Sequence, residues 1–256
     1  MYFTIILVIA AFVYFLLILP TQWLKVERVR YACGLGTRVL QISDLHVEKL
    51  RISAERLTRL IQEEAPDYIV LTGDFTQKSR YLSKVQQYAQ AIAKPGIPVY
   101  AVLGNHDHRL HLSALKQLIR ILENAGINVL INQSIALDTF QIVGVDDFGS
   151  KKSEVEAAFE NAAPNKPILV LTHDPNLIPC IQHKYTYLMA GHFHGKQFNV
   201  PLLFRLLNKG RLAAAGIYKG MHSGTYGRFY ISKGIGQAGI NARFLVRSEV
   251  TLHELD

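Results

Sequence analysis

Five times along this 256-residue chain a short apolar run ends on an aspartate, an asparagine or a histidine, and few folds accommodate that recurrence. Residues 38–43 lead into Asp44-Leu45-His46, Tyr68–Thr72 into Gly73-Asp74, and Val99–Val102 into Leu103-Gly104-Asn105-His106. Residues 168–172 lead into His173, and Tyr187–Ala190 into Gly191-His192-Phe193-His194. Short continuous apolar runs suit strands buried on both faces, as in parallel sheets covered by helices. Helical periodicities lie between them. Residues 53–64 place Leu57, Leu60 and Ile61 on one face before Pro66, Leu82–Ala93 is stopped by Pro95-Gly96, and from Leu112 the residues Leu115, Leu118, Ile119 and Leu122 share a face up to Gly126. Ser153-Glu154-Val155-Glu156 reads as a capping box opening another helix, and residues 128–131, 140–145, 228–232 and 250–255 read as further strands. The alternation predicts an α/β fold in which polar residues at the carboxyl ends of strands converge, although they are scattered along the chain.

The amino terminus is different in kind. Residues 1–19 are apolar apart from Thr4, which is about the length a bilayer demands of a helix, and Trp23 falls where an interfacial aromatic would. No Lys or Arg precedes the run and no small-residue cleavage site follows it, so a retained anchor is expected rather than a signal peptide. Lys25, Arg28 and Arg30 flank its carboxyl side and place the rest of the chain in the cytoplasm by the positive-inside rule. The expected organisation is an anchor over residues 1–20, a linker over 21–36 and one catalytic domain over 37–256. The formal charge of +8 is scattered, with no basic run and no aromatic-interleaved patch. It speaks for anionic substrates or anionic lipid surfaces, and no nucleic-acid partner is expected. Cys33 and Cys180 offer neither a disulfide framework nor zinc spacing, in keeping with a reduced compartment.

The strand-end residues Asp44, His46, Asp74, Asn105, His173, His192 and His194 form a candidate ligand set. Carboxylates mixed with imidazoles suit Mn, Fe or Zn better than Mg alone. Seven donors are too many for one such ion and suit two that share a carboxylate. Two adjacent cations can bind phosphate oxygens and depress the pKa of a shared water. The leaving oxygen then needs a proton, and His106, beside Asn105 but free of the ligand set, is the candidate supplier. Taken singly, Gly73-Asp74 could be a turn, Asn105 an Asx-turn former and His173 a strand-end histidine. His192 and His194 alternate along a segment read as extended, which would turn both to one side. His108, His111, His183 and His222 lie outside the pattern and read as surface or supporting residues.

Together, Asp44-Leu45-His46, Gly73-Asp74, Gly104-Asn105-His106-Asp107, His173 and Gly191-His192-Phe193-His194 resemble the calcineurin-like metallophosphoesterase family over nearly everything after the anchor. The resemblance implies a four-layer αββα sandwich with a dinuclear centre at the strand ends. It also implies Asp44, His46 and His194 on one metal, Asn105, His173 and His192 on the other, Asp74 bridging, and His106 as leaving-group acid. The anchor, His173-Asp174-Pro175 and residues 230–236 look like the membrane-associated bacterial branch of YkuE and YaeI type. That branch is similar to the LpxG enzymes, UDP-2,3-diacylglucosamine pyrophosphatases of lipid A synthesis.

The resemblance implies an inner-membrane phosphodiesterase or pyrophosphatase facing the cytoplasm, with manganese as the expected metal and UDP-2,3-diacylglucosamine, split to UMP and lipid X, as the leading substrate. A phosphodiesterase or phosphatase for another phospholipid, cell-wall intermediate or nucleotide is the alternative, and a noncatalytic membrane scaffold is a third. The chain departs from the branch pattern at Gly195-Lys196 and at Arg247-Ser248-Glu249, which bears on substrate rather than on chemistry. Lys196 is a candidate for a second phosphate. Arg205 belongs to an apolar and basic segment, residues 201–212, that reads either as a lid touching lipid or as core.

Overall fold

The computed structural model describes residues 1–163, 165–200 and 209–256. One sheet contains β1 (Lys25–Arg30), β2 (Thr37–Ile42), β3 (Tyr68–Thr72), β4 (Val99–Val102), β5 (Ile127–Val129) and β12 (Glu249–Leu255), in the order β1-β12-β2-β3-β4-β5. The other contains β6 (Gln133–Ala136), β7 (Gln141–Gly144), β8 (Ile168–Leu171), β9 (Tyr187–Ala190), β10 (Gly220–Ser223) and β11 (Arg228–Ile231), in the order β10-β11-β9-β8-β7-β6. β2, β3, β4 and β5 run parallel, as do β7, β8, β9 and β11, so the carboxyl ends within each set share an edge.

Alternation along the strands builds the layers. Ile69 and Leu71 of β3 and Val99 and Ala101 of β4 pack with Leu57, Ile61, Val85 and Leu118 of the helices Ala54–Glu64, Leu82–Ala93 and Leu112–Asn124. Their neighbours Val70, Tyr100 and Val102 turn inward and meet Leu169, Leu171, Tyr187 and Met189 of the second sheet. The outer face of that sheet, Val170, Leu188 and Ala190, is covered by Phe159, Leu177, Ile178 and Ala213. Helix, sheet, sheet and helix are thus stacked on three apolar cores, and most central strands are apolar on both faces because both faces are covered.

Several elements depart from the sequence reading. Residues 25–30, read as linker, are β1, an edge strand in parallel register with β12. The Ser153 capping box does not form: the helix is Val155–Phe159, and Glu154 precedes it without a side-chain cap. β6 and β10 carry no apolar run and were not anticipated. Arg205 and the rest of residues 201–208 lie outside the described residues, so the lid reading cannot be placed, while Arg211–Ala214 is a single helical turn. The amino-terminal helix runs from Tyr2 to Gln22, 21 residues of which none in its most apolar stretch is buried.

Candidate metal centre

Both sheets contribute to one buried cluster. β2 delivers Asp44 and His46, β3 delivers Asp74, β4 delivers Asn105, β8 delivers His173 and β9 delivers His192 and His194. Donor atoms of Asp44, His46, Asp74 and His194 all lie within 4.8 Å of one another. Within that set His46 Nε2 stands 3.3 Å from Asp74 Oδ2, and His194 Nε2 stands 3.3 Å from Asp44 Oδ1. The second set meets at Asn105 Oδ1, 3.2 Å from His173 Nε2 and 3.0 Å from His192 Nδ1. His173 Nε2 is also 3.2 Å from Asp74 Oδ2, so Asp74 belongs to both sets.

With each ring neutral and its proton on the nitrogen turned away from the cluster, these contacts set lone pair against lone pair. His173 donates its Nδ1–H to the Thr72 carbonyl at 2.8 Å, which in the neutral ring leaves a lone pair on Nε2 facing the Asp74 and Asn105 oxygens. His194 Nδ1 is 3.3 Å from the Gly236 carbonyl and likewise turns Nε2 inward. His46 Nε2 is buried with no hydrogen-bond partner. Positive charge between such donors removes the repulsion. Two donors each about 2.1 Å from one cation stand about 3.0–3.4 Å apart at octahedral or tetrahedral angles, and the separations above fall there. The carboxylate, imidazole and amide donors therefore fit a dinuclear metal site.

Electrostatics carry the same message. Burial opposes protonation of His173, but Asp74, Asp44 and Asp147 around it outweigh burial and hold its pKa well above the ordinary imidazole value. Burial raises the pKa of Asp44 despite the hydroxyl of Ser43, which donates to Oδ2 at 2.6 Å. His106 lies beside the cluster, its ring edge-on to His46 with centroids 4.7 Å apart and its backbone N–H donating to Asp74 Oδ1 at 2.8 Å. Burial drives its pKa down to about 3, and its Nδ1 is buried without a partner.

The backbone is bent to bring the cluster together. Asp44, His46, Asp74, His192 and His194 all have φ between +39° and +74°, where side chains other than glycine cost about 1–3 kcal/mol each. His192 and His194 consequently face one centre through left-handed turns, not through the extended alternation inferred from sequence. Gly104 and Gly191 are close-approach positions: a Cβ on the first would lie 2.3 Å from Asp74 Oδ1, and on the second 1.9 Å from Ser43 Oγ. Asp107, to which the sequence reading gave no role, accepts from the backbone N–H groups of Asp74, Gly104, Phe75 and Thr76 at 2.8–3.0 Å, fastening the β3 and β4 loops together. Its signal was its place three residues after Gly104, where a carboxylate can turn back onto the loop amides.

The remaining candidates lie outside the cluster. Lys196 holds its ammonium 4.1 Å from the Tyr218 ring centroid. His108 pairs with Asp146 at 2.7 Å, His183 with Glu156 at 3.0 Å, and His111 caps the helix that begins at Leu112. From Asn105 and His192 a groove of about 1000 Å³ leads away, with Arg109, Lys151, Lys209 and Arg211 on its walls beside Phe148 and Pro179.

A double-sheet sandwich with a buried aspartate and histidine cluster at its strand ends, fit for a dinuclear metal site, has the architecture of a metallophosphoesterase. The chain belongs to the calcineurin-like phosphoesterase family, which residues 37–196 match. It is 38% identical over 224 residues to the uncharacterized metallophosphoesterase YkoQ of Bacillus subtilis, covering 85% of this chain and 83% of that one. It is 29% identical to the phosphodiesterase YaeI of Escherichia coli, covering 85% of this chain and 82% of that one. It is 28% identical to the UDP-2,3-diacylglucosamine pyrophosphatase LpxG of Chlamydia muridarum, covering 65% of this chain and 66% of that one. The solved structure of TT1561 of Thermus thermophilus superposes with a TM-score of 0.52 at 12% identity, over 78% of this chain and 90% of that one, and supports the fold alone. The protein is a metal-dependent phosphoester hydrolase.

Proposed function

We propose that the substrate is UDP-2,3-diacylglucosamine, hydrolysed at its pyrophosphate to UMP and lipid X by an enzyme anchored in the bacterial inner membrane. The groove carries this reading: four cationic side chains beyond the metal cluster suit a substrate with a second anionic group next to the phosphoryl under attack. Phe148 and Pro179 give the same groove an apolar wall. The likeness to LpxG and YaeI points the same way.

In this reading Asp44, His46 and His194 would hold one divalent ion, Asn105, His173 and His192 would hold the other, and Asp74 would serve both. Manganese suits the mixed oxygen and imidazole donors. Two ions held there would supply Lewis acidity toward phosphoryl oxygens and toward a bound water. His106 hands a proton to the leaving oxygen. Burial keeps its ring neutral on its own, so it first takes up a proton from solvent as an anionic phosphoryl group binds beside it, and it is this proton that passes to the leaving oxygen. Arg109, Lys151, Lys209 and Arg211 orient the second phosphoryl group. The helix Tyr2–Gln22 is the anchor, and the domain faces the cytoplasm.

The test is UMP release from UDP-2,3-diacylglucosamine by the purified full-length protein with Mn²⁺. An aryl phosphodiester serves as second substrate and the Asn105→Ala variant as control. Release of UMP by the wild type alone is expected. Cleavage of the aryl diester without release of UMP sinks the substrate and leaves the reaction class standing.

A further inference from the structure

The amino-terminal helix does not leave the domain cleanly. Residues 1–15 are exposed, but residues 16–20 are partly covered and Thr21 is buried. The cover is the loop after β11. Arg243 N donates to the Leu17 carbonyl at 3.0 Å, Ser248 N to the Pro20 carbonyl at 2.9 Å, and Arg51 reaches both Thr21 Oγ1 and the Asn241 carbonyl. The Arg247 guanidinium lies 3.7 Å from the centroid of Trp23, the one tryptophan in the chain.

The loop is built, not slack. The Gln197 amide nitrogen lies within 3.0 Å of the carbonyls of Ala238, Ile240 and Ala242, and its oxygen accepts from Ala238 N. Arg243 is fully buried and donates to the carbonyls of Lys233, Gly234, Gly236 and Arg247. Yet this ordered loop holds two large aliphatic side chains outward, Ile240 at 69% and Leu245 at 65% exposure. Leu245 does so at φ +55°, a conformation that a leucine adopts only against a steric penalty. Strain spent on presenting a leucine to water has no folding purpose.

Register supplies the purpose. Trp23 caps the carboxyl end of the apolar helix, where an interfacial aromatic marks the edge of the hydrocarbon core. A helix that spans must immerse residues 16–20 as well, and whatever is bonded to them goes with it. Leu17 lies six residues before Trp23, so an interfacial Trp23 puts the backbone partner of Arg243 roughly 9 Å deeper along the axis. We infer that the loop of residues 238–247 dips into the interfacial layer of the bilayer, with Ile240 and Leu245 among the acyl chains and Arg51 and Arg247 at the headgroups. Arg243 of that loop also donates to the Gly236 carbonyl, which His194 meets as well, so a single backbone carbonyl links the membrane footing to the metal centre.

This inference rests on the reading of Tyr2–Gln22 as a membrane span, and the experiment separates the two. In a Trp23→Phe background a single tryptophan is introduced as Ile240→Trp, Leu245→Trp, Phe12→Trp or Leu112→Trp, the last at an exposed site remote from the anchor. Each full-length variant is reconstituted into phosphatidylcholine and phosphatidylglycerol vesicles brominated midway along the acyl chain, and the quenching of tryptophan fluorescence is read. Ile240→Trp and Leu245→Trp should lose at least half the fraction of emission lost by Phe12→Trp, and Leu112→Trp should lose none. If both loop variants behave like Leu112→Trp while Phe12→Trp is quenched, the inference is overturned and the anchor stands. If Phe12→Trp is also unquenched, the span reading falls and the inference with it.

Discussion

Asn105 and His106 are adjacent in sequence but aim at different parts of the site. The Asn105 amide oxygen sits 3.2 Å and 3.0 Å from His173 Nε2 and His192 Nδ1, inside the donor set. The His106 ring stacks edge-on to His46 and makes no donor contact with either metal set. Truncating each should therefore fail in a different way. We expect Asn105→Ala to weaken binding at one of the two ions by at least the about 10–100-fold that loss of a ligand's supporting hydrogen-bond partner costs. His106→Ala should retain two equivalents of metal and lose about 10²–10⁴ in turnover, the usual share of a proton donor. Metal content by mass spectrometry, read beside kcat, separates them, and a metal-free His106→Ala would refute its role. The residues that gather in the cluster were legible in sequence because apolar runs end on them. Their backbone strain was not, since five left-handed residues in a row of loops leave no compositional trace when none is glycine. Asp107 was overlooked for a related reason: its partners are backbone amides, which a sequence does not display.

Between the two sheets the contact is mostly apolar, but on the side of β12 it becomes a polar seam. Tyr187 of β9 lies with its hydroxyl 3.1 Å from His253 Nδ1, and His253 Nε2 lies 3.1 Å from Gln41 Oε1 of β2. Gln41 Nε2 donates in turn to the Ala190 carbonyl at the end of β9 and to Thr72 at the end of β3. This chain sets the sheets in register just before Asp44 and His192, so it fixes the distance across which the metal centre is assembled. It suits a neutral His253, with Nδ1 accepting from the Tyr187 hydroxyl and Nε2 donating to Gln41. Burial gives that state, driving the pKa down to about 3. A histidine depressed below its unfolded value near 6.5 contributes stability that is complete above pH 6.5 and is lost as pH falls toward 3, at about 1.4 kcal/mol for each pH unit. Urea unfolding at pH 7 and pH 5 should show a drop for the wild type that exceeds the drop for His253→Gln by about 2 kcal/mol. An equal drop in both would show that His253 takes up its proton without disturbing the seam. The central strands were legible because both their faces are apolar. β1, reading Lys-Val-Glu-Arg-Val-Arg, was not, because an edge strand partly open to water keeps its charges and looks like linker.

At the scale of the whole molecule the strand β1 changes how the anchor is read. A linker would let the domain tumble below the membrane, whereas β1 enters the sheet at Lys25, two residues after Trp23, and fastens the domain to the helix. The cations used to infer orientation are then part of the folded surface: Arg28 pairs with Glu64 at 2.7 Å and Arg30 with Glu254 at 2.5 Å. Pairing does not cancel their topological effect, because orientation follows Lys and Arg near the span and acidic residues contribute little. Folding adds to the count. Arg56 donates to the Gln22 carbonyl, Arg51 to Thr21, and Arg247 covers Trp23, so three more cations surround the carboxyl end of the apolar helix although they are 28 or more residues away in sequence. In the proposed orientation all of them would meet anionic cytoplasmic lipids. The carboxyl terminus is a suitable reporter site, since Leu255 is buried in β12 but Asp256 is exposed. A fluorescent protein fused after Asp256 should fluoresce, and an alkaline phosphatase fused there, active only outside the cytoplasm, should stay silent. An active phosphatase with a dark fluorescent fusion would reverse the orientation and would place the catalytic groove on the opposite side from any cytoplasmic nucleotide-linked substrate.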